Sequence, residues 1–412
     1  MLDRVDGTKI DGRRSVRTVL HVAQPTEGGV ARYVADLARA QVAAGWQVVV
    51  AAPPVDPLRA AVLTAGARLL PWAARRAPGP GLVDEVRRLR AIVGRCDPAL
   101  IHLHSSKAGL AGRLVPPGTR PVVFQPHAWS FEAAPAALRR LATGWERYAA
   151  RRADVLLCVS EAERDRGLRA GIRGRYLVVP NGVDLHRYGV RDATDRAAAR
   201  ERLGLGPGAL AVCVGRLCPQ KGQAVLLDAW RSVTALLPTA RLALVGDGPD
   251  ATELRRRAGA GVLFAGAVDD PVDWYAAADV VVCPSRWEGM ALVPLEAMAC
   301  GRSVVATDVT GMRESVPPDA GALVPPGDVP ALTGALVQRL RRVDVADAEG
   351  RAGRAHVRAR HCLTRTVAAV DALYRRLLGA PSAVTVGDLT LSGSENWLVN
   401  RRSDRLRSQG GS

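Results

Sequence analysis

The run Pro284-Ser285-Arg286-Trp287-Glu288-Gly289-Met290-Ala291-Leu292-Val293-Pro294-Leu295-Glu296-Ala297-Met298-Ala299 decides the reading of this chain. An apolar strand, Val280 to Cys283, leads into it, and a Pro/Ser/Gly turn leads out into a helix. Glu288 falls in the turn, and Glu296 is expected on the first helical turn. Between the two carboxylates lie the free N–H groups of a helix start, which attract phosphate. Carboxylates beside such an end are suited to accept hydrogen bonds from sugar hydroxyls. Strand, helix end and acids together describe a site for a nucleotide sugar.

Outward from this run, short apolar segments alternate with amphipathic ones twice over. The expected strands of the first half are Arg17–Ala23, Gln47–Ala51, Leu69–Pro71, Leu100–Leu103, Val122–Gln125, Val155–Val159 and Tyr176–Val179. Those of the second half are Leu210–Val214, Arg241–Val245, Val262–Ala265, Val280–Cys283, Ser303–Ala306 and Gly321–Val324. Continuous apolar runs that are each followed by a helix mean parallel strands covered on both faces. The fold class is therefore α/β: two doubly wound, Rossmann-like domains whose ligands bind beyond the carboxyl ends of the strands, in the cleft between them. The bounds read as a loose start (1–15), a first domain (16–184), a polar linker (185–208), a second domain (209–362), a last helix (363–380) and a disordered tail (381–412).

A chain of 412 residues suits two such domains. It has no apolar run long enough to cross a membrane, and its first residues, Met1 to Asp6, lack the apolar core of a signal peptide. The seven cysteines are scattered, form no C-x-x-C, and read as reduced core residues of a cytoplasmic protein. The net charge of +17 is uneven: residues 1–190 hold 29 Lys/Arg against 16 Asp/Glu. That basic half favours an anionic surface or acceptor. The alternative is that many of these arginines are solvated helix faces. Dispersed charge without a recognition motif argues against nucleic acid.

Other segments fit the same site. Gly215-Arg216-Leu217-Cys218-Pro219-Gln220-Lys221-Gly222 follows the first strand of the second domain. Its planar fork and point charge suit a pyrophosphate whose charge grows as it departs. Gly28-Gly29 follows the first strand and opens a helix, which allows close backbone approach to an anion. His127 follows another strand end, whereas His102 and His104 bracket a strand end and read as structural. Asn181-Gly182-Val183-Asp184 reads as a turn in which Gly182 supplies a positive φ, and Gly246-Asp247-Gly248-Pro249 as a second turn. No D-x-D occurs, so no metal or other cofactor is expected at the diphosphate.

With these residues in view, the chain from about Val16 to about Leu378 resembles the retaining, GT-B-fold glycosyltransferases of family 4, the group 1 type, through its E-x7-E, G-R-L-x-x-x-K-G and Gly-Gly motifs. The resemblance implies transfer of a hexosyl unit from a nucleotide diphosphate sugar to an acceptor hydroxyl; uracil is the expected base and guanine the alternative. It implies Arg216 and Lys221 at the diphosphate, helped by the amides of Gly289, Met290, Ala291 and Leu292. Glu288 and His127 then face the donor sugar, Glu296 the ribose, Gly28 and Gly29 the phosphates, and Gly266 to Val268 the base. The leaving phosphate would take the acceptor proton. Met290-Ala291 departs from the family's Phe-Gly, placing a Cβ where amides approach the sugar.

Three rivals remain at this level. A nucleotide-sugar 2-epimerase shares the fold but needs no E-x7-E. A phosphorylase needs a pyridoxal-bearing lysine, which Lys9, Lys107 and Lys221 do not supply. A scaffold protein would be expected to have lost Arg216, Lys221 or Glu288. The first-choice acceptor is a lipid-linked glycan at the inner face of an anionic membrane, as in cell-surface polysaccharide or glycolipid synthesis. A small molecule is the second choice.

Overall fold

Alternation of side chains along each strand divides the apolar residues between two faces. Leu20, Val22, Ile101, Leu103 and Phe124 point into one hydrophobic cluster, and their neighbours Val19, Leu100 and Val123 into another on the opposite face. The second sheet repeats the arrangement. Ala211, Cys213, Val280 and Val282 pack on one side, and Leu210, Val212, Val281 and Cys283 on the other. The computed structural model describes residues 18–189 and 193–380. The ends expected to be loose (1–15 and 381–412), Arg17, and linker residues 190–192 lie outside the described residues.

The first sheet contains β1 (Thr18–Ala23), β2 (Gln47–Ala52), β3 (Arg68–Pro71), β4 (Leu100–His104), β5 (Val122–Gln125), β6 (Val155–Cys158) and β7 (Tyr176–Val178). Their spatial order is β3-β2-β1-β4-β5-β6-β7, with parallel pairing throughout. The second contains β8 (Leu210–Val214), β9 (Arg241–Val245), β10 (Val262–Gly266), β11 (Val280–Cys283), β12 (Ser303–Thr307) and β13 (Gly321–Val324). Their order is β10-β9-β8-β11-β12-β13, again parallel. Each strand expected from the sequence is present, with ends that differ by a residue at most. In both sheets the winding direction reverses once, between β1 and β4 and between β8 and β11. Those reversals open the crevices where ligands of doubly wound sheets bind.

The segment expected as a polar linker carries a helix, Ala193–Arg202, and its Tyr188 and Ala199 are buried in the second domain's core. The last helix, Leu363–Leu377, places Ala369, Val370, Leu373 and Tyr374 against the first sheet. Gly182 does not adopt a positive φ, contrary to the expectation for its turn. What requires glycine there is space: a Cβ would meet the Cys362 carbonyl oxygen at 2.7 Å and Thr366 Oγ1 at 2.6 Å. Among the described residues no helix is long and apolar enough to cross a membrane.

Candidate active site

Loops from the strands beside both reversal points meet across the cleft. The Gly28–Ala43 helix begins after β1, with Gly28 at φ +76°. A Cβ on Gly29 would lie 3.7 Å from Leu292 Cδ1, at the first residue of the Leu292–Ala299 helix that follows β11. Two helix starts thus converge from opposite domains. Pro294 has no N–H to offer at the second, leaving the amides of Ala291, Leu292 and Val293 with no partner one turn earlier.

Glu288 lies in the turn after β11, buried. Lys221 Nζ donates to its Oε1 at 2.6 Å, and Ser285 Oγ donates to the same oxygen at 2.8 Å. Burial opposes the charge on Lys221, but Glu288 outweighs it and raises the ammonium pKa above its ordinary value. Arg216, on the loop after β8, lies 3.7 Å from Glu27 at the cap of the Gly28–Ala43 helix. Partial burial, and after it the charge of Arg216, lowers the pKa of Arg76, which reaches in from the first domain. Arg76, Arg216 and Lys221 therefore form a cationic rim on the cleft.

Glu296 stands at the fifth residue of its helix, one turn deeper than expected, and is 2% exposed. Arg32 Nη1 donates to Oε1 at 2.5 Å and Tyr275 Oη to Oε2 at 2.6 Å. Arg32 also donates to Tyr188 Oη at 2.5 Å. The Glu296 charge raises the Arg32 pKa further above its already high value. A carboxylate has about four lone-pair sites, so two remain for hydroxyls. Met290, Ala291 and Leu292 are buried in the second domain's hydrophobic cluster, so the departure from Phe-Gly is accommodated by core packing.

His127 and Ala128 have φ of +54° and +101°, a strained region for side-chain-bearing residues. Glu163 holds them: its Oε1 accepts from Ala128 N at 2.6 Å and its Oε2 from Val159 N at 2.8 Å. Full burial pushes the Glu163 carboxyl up to about 7, against those two amide donors. Gly289 packs on the same backbone, where a Cβ would sit 2.9 Å from Ala128 N and 3.0 Å from His127 C. Ser160 Oγ donates to the Gly289 carbonyl at 3.0 Å, and Asn181 Nδ2 to the Met290 carbonyl at 2.8 Å. Glu314, from the second domain, accepts from the amides of Glu161 and Ala162 at the start of the Glu161–Arg169 helix. These contacts tie the two domains together beside Gly289 and Met290.

Gly266 and Val268 lie at the carboxyl end of β10, at the sheet edge. Gly266 accepts from Gly246 N at 2.7 Å, and Val268 is exposed. Asp247 accepts from Gly248 N at 2.7 Å, which is a turn contact. Arg32, Arg76, Tyr188, Tyr275 and Glu163 escaped the sequence reading as site residues. Arg32 alone carried a signal, as it lies one helical turn beyond the Gly-Gly pair.

A glycosyltransferase family 4 model matches residues 27–187, and a model described as glycosyl transferases group 1 matches residues 208–342. A GDP-mannose-dependent phosphatidylinositol monomannoside mannosyltransferase of Corynebacterium glutamicum is 36% identical over 50% of this chain, which spans 58% of that protein's length. The lipopolysaccharide core mannosyltransferase LpsB of Rhizobium meliloti is 34% identical over 59% of this chain and 71% of its own. Among solved structures, sucrose-phosphate synthase from Thermosynechococcus elongatus superposes with a TM-score of 0.74 at 26% identity, covering 89% of this chain and 100% of that one. Two facing Rossmann-like domains with this site define a GT-B glycosyltransferase. The chain belongs to glycosyltransferase family 4, of the group 1 type.

Proposed function

We propose that this protein transfers a hexosyl unit from a nucleoside diphosphate sugar to a hydroxyl of a lipid-linked acceptor, with retention at the anomeric carbon. The observation that carries this reading is the pairing of Lys221 with Glu288 in the turn before the Leu292–Ala299 helix, with Arg216 beside Glu27 at the start of the facing Gly28–Ala43 helix and Glu296 one turn into its own. Arg216, Lys221 and the helix amides neutralise the departing diphosphate without a metal. Glu288 accepts from hydroxyls of the donor sugar, and Glu296 from those of the ribose. Burial lowers the His127 pKa to about 3, which makes it a weak base. The leaving phosphate therefore takes the acceptor proton.

The acceptor side rests on the first domain. On the Ala136–Ala149 helix, Leu138, Leu141 and Tyr148 are 53%, 70% and 49% exposed, beside Arg139, Arg140 and Arg147. An exposed apolar row flanked by arginines suits an anionic lipid surface. The Corynebacterium relative is named for a phosphatidylinositol monomannoside and the Rhizobium relative for lipopolysaccharide core biosynthesis. Phosphatidylglycerol vesicles are expected to co-sediment the protein and phosphatidylcholine vesicles are not. Equal binding to both, or to neither, would exclude an electrostatic membrane role.

The donor is tested by titrating UDP-, GDP- and ADP-hexoses with EDTA present and following thermal stabilisation and donor hydrolysis, with UDP-glucose first and GDP-mannose second. One nucleotide series is expected to stabilise the protein. Stabilisation by none would overturn the reading, and conversion of the donor sugar without acceptor would indicate an epimerase. In the same assay Glu296→Ala is expected to raise the donor Kd about tenfold to a hundredfold, the worth of hydrogen bonds to a charged group. Unchanged affinity would remove Glu296 from the ribose site.

A further inference from the structure

Four histidines line up behind the cleft. His21 (β1) and His102 and His104 (β4) are fully buried, and His127 lies at the end of β5. Gln41 Oε1 is 2.8 Å from His21 Nε2. His21 Nδ1 is 2.9 Å from His104 Nε2, and His104 Nδ1 is 3.3 Å from His127 Nε2. The direction of this chain follows from its inner end. An amide oxygen only accepts, and a neutral imidazole has one donor and one acceptor. His21 must carry its proton on Nε2, so its Nδ1 accepts. His104 then donates from Nε2 and accepts at Nδ1, and His127 donates from Nε2. The Gln41 amide nitrogen lies beside Tyr374 and finds no hydrogen-bond partner among the described residues. His127 Nδ1 is left with a lone pair and no partner among the described residues, on a half-buried side chain at the cleft.

We infer that His21 and His104 are positioning residues that lock His127 in the Nε2–H tautomer, so that His127 Nδ1 faces the cleft as a fixed neutral acceptor for a hydroxyl of the donor sugar. Burial lowers the pKa of His21 to about 4, and those of His102 and His104 well below the ordinary value, so protonation does not scramble the chain at neutral pH. The nitrogens of His21, His102 and His104 also lie within 4.8 Å of one another, a spacing at which a cation could bind. No carboxylate joins that group, so a dication there would be buried without compensating charge. The 2.9 Å between His21 and His104 is a hydrogen bond.

The role for the sugar hydroxyl rests on the donor reading above, whereas the tautomer does not. Nitrogen-15 NMR of histidine-labelled protein, assigned with single His→Gln variants, is expected to show His21, His104 and His127 neutral and protonated on Nε2 from pH 8 to pH 6. A His127 proton on Nδ1, titration near 6.5, or bound zinc that shifts the His21 and His104 signals would overturn the lock. His104→Phe, which keeps a ring against His21 and His127, is expected to weaken UDP-glucose or GDP-mannose binding about tenfold while leaving UDP or GDP binding unchanged. Equal loss for nucleotide and nucleotide sugar, or no loss for either, would overturn the positioning role. Failure of the wild-type protein to bind any nucleotide would instead overturn the donor reading. If His104→Phe does not fold, the wild-type spectrum still decides the tautomer.

Discussion

Lys221→Ala is expected to lower kcat about a thousandfold while changing the donor Kd by less than about tenfold. Lys221 bears a charge within 2.6 Å of Glu288, at the position proposed for the leaving diphosphate. Diphosphate charge grows as the glycosidic bond breaks, so a fixed cation there is worth more in the transition state than in the ground state. Removing one such preorganised group costs about 3–4 kcal/mol in the transition state, or two to three orders of magnitude in rate. A second effect has the same sign. Without Lys221, the buried Glu288 carboxylate loses its cationic partner and faces the donor phosphates as an unpaired like charge. Lys221→Arg restores charge but not the point geometry and is expected to recover part of the rate. Steady-state kinetics with a saturating donor decide the matter. A Lys221→Ala kcat within fivefold of wild type would mean that the diphosphate departs elsewhere. Arg216→Ala measured alongside, with the double variant, would tell whether the two cations act as one unit.

The other large effect is on stability and needs no substrate. Burial holds His21 at about 4 and His127 at about 3, with His102 and His104 well below the ordinary value. The unfolded chain takes up protons at about 6.5 and the folded chain does not, so stability present above that pH is lost as pH falls toward the folded values. Each such imidazole costs about 1.4 kcal/mol per pH unit, and four together cost about 5 kcal/mol per unit below 6.5. His361, lowered by burial to about 4, acts in the same sense. Glu163 acts oppositely. Its carboxyl, raised to about 7, is protonated in the fold before it is in the unfolded chain and stabilises by about 1.4 kcal/mol per unit as pH falls from 7 to 4.5. The balance still favours steep acid unfolding, because the whole stability of a domain is only about 5–15 kcal/mol. Urea midpoints at pH 7.5 and 5.5 test this. A flat midpoint would mean that the imidazoles are already charged in the native state.

Much of the architecture was legible before any coordinates. Val280–Cys283, Leu210–Val214 and Val122–Gln125 appear as strands with the bounds read from the sequence, because buried parallel strands are unbroken apolar runs closed by turn residues. The segment 185–208 misled: its charge suggested a linker, yet Ala193–Arg202 is helical and Arg196 and Arg200 pair with Asp279. Gly182 misled for a related reason, since glycine permits close approach as well as positive φ, and only the neighbouring Cys362 and Thr366 distinguish the two.

The site divides along the same line. Glu288, Glu296, Arg216, Lys221 and the Gly28-Gly29 pair sit in short motifs at strand ends, so the sequence alone singled out the residues proposed for the chemistry. Strand order, set by long-range pairing, decided that the loops after β1, β5, β8 and β11 meet in one cleft. The partners that tune those residues were likewise a tertiary decision. Arg32 reaches Glu296 across 264 positions, His21 reaches His104 across 83, and Glu163 reaches the Ala128 amide across 35. Periodicity and turn chemistry are local and leave a pattern in the chain, whereas the partner of a buried charge or imidazole is whichever group the packed fold brings within hydrogen-bond distance.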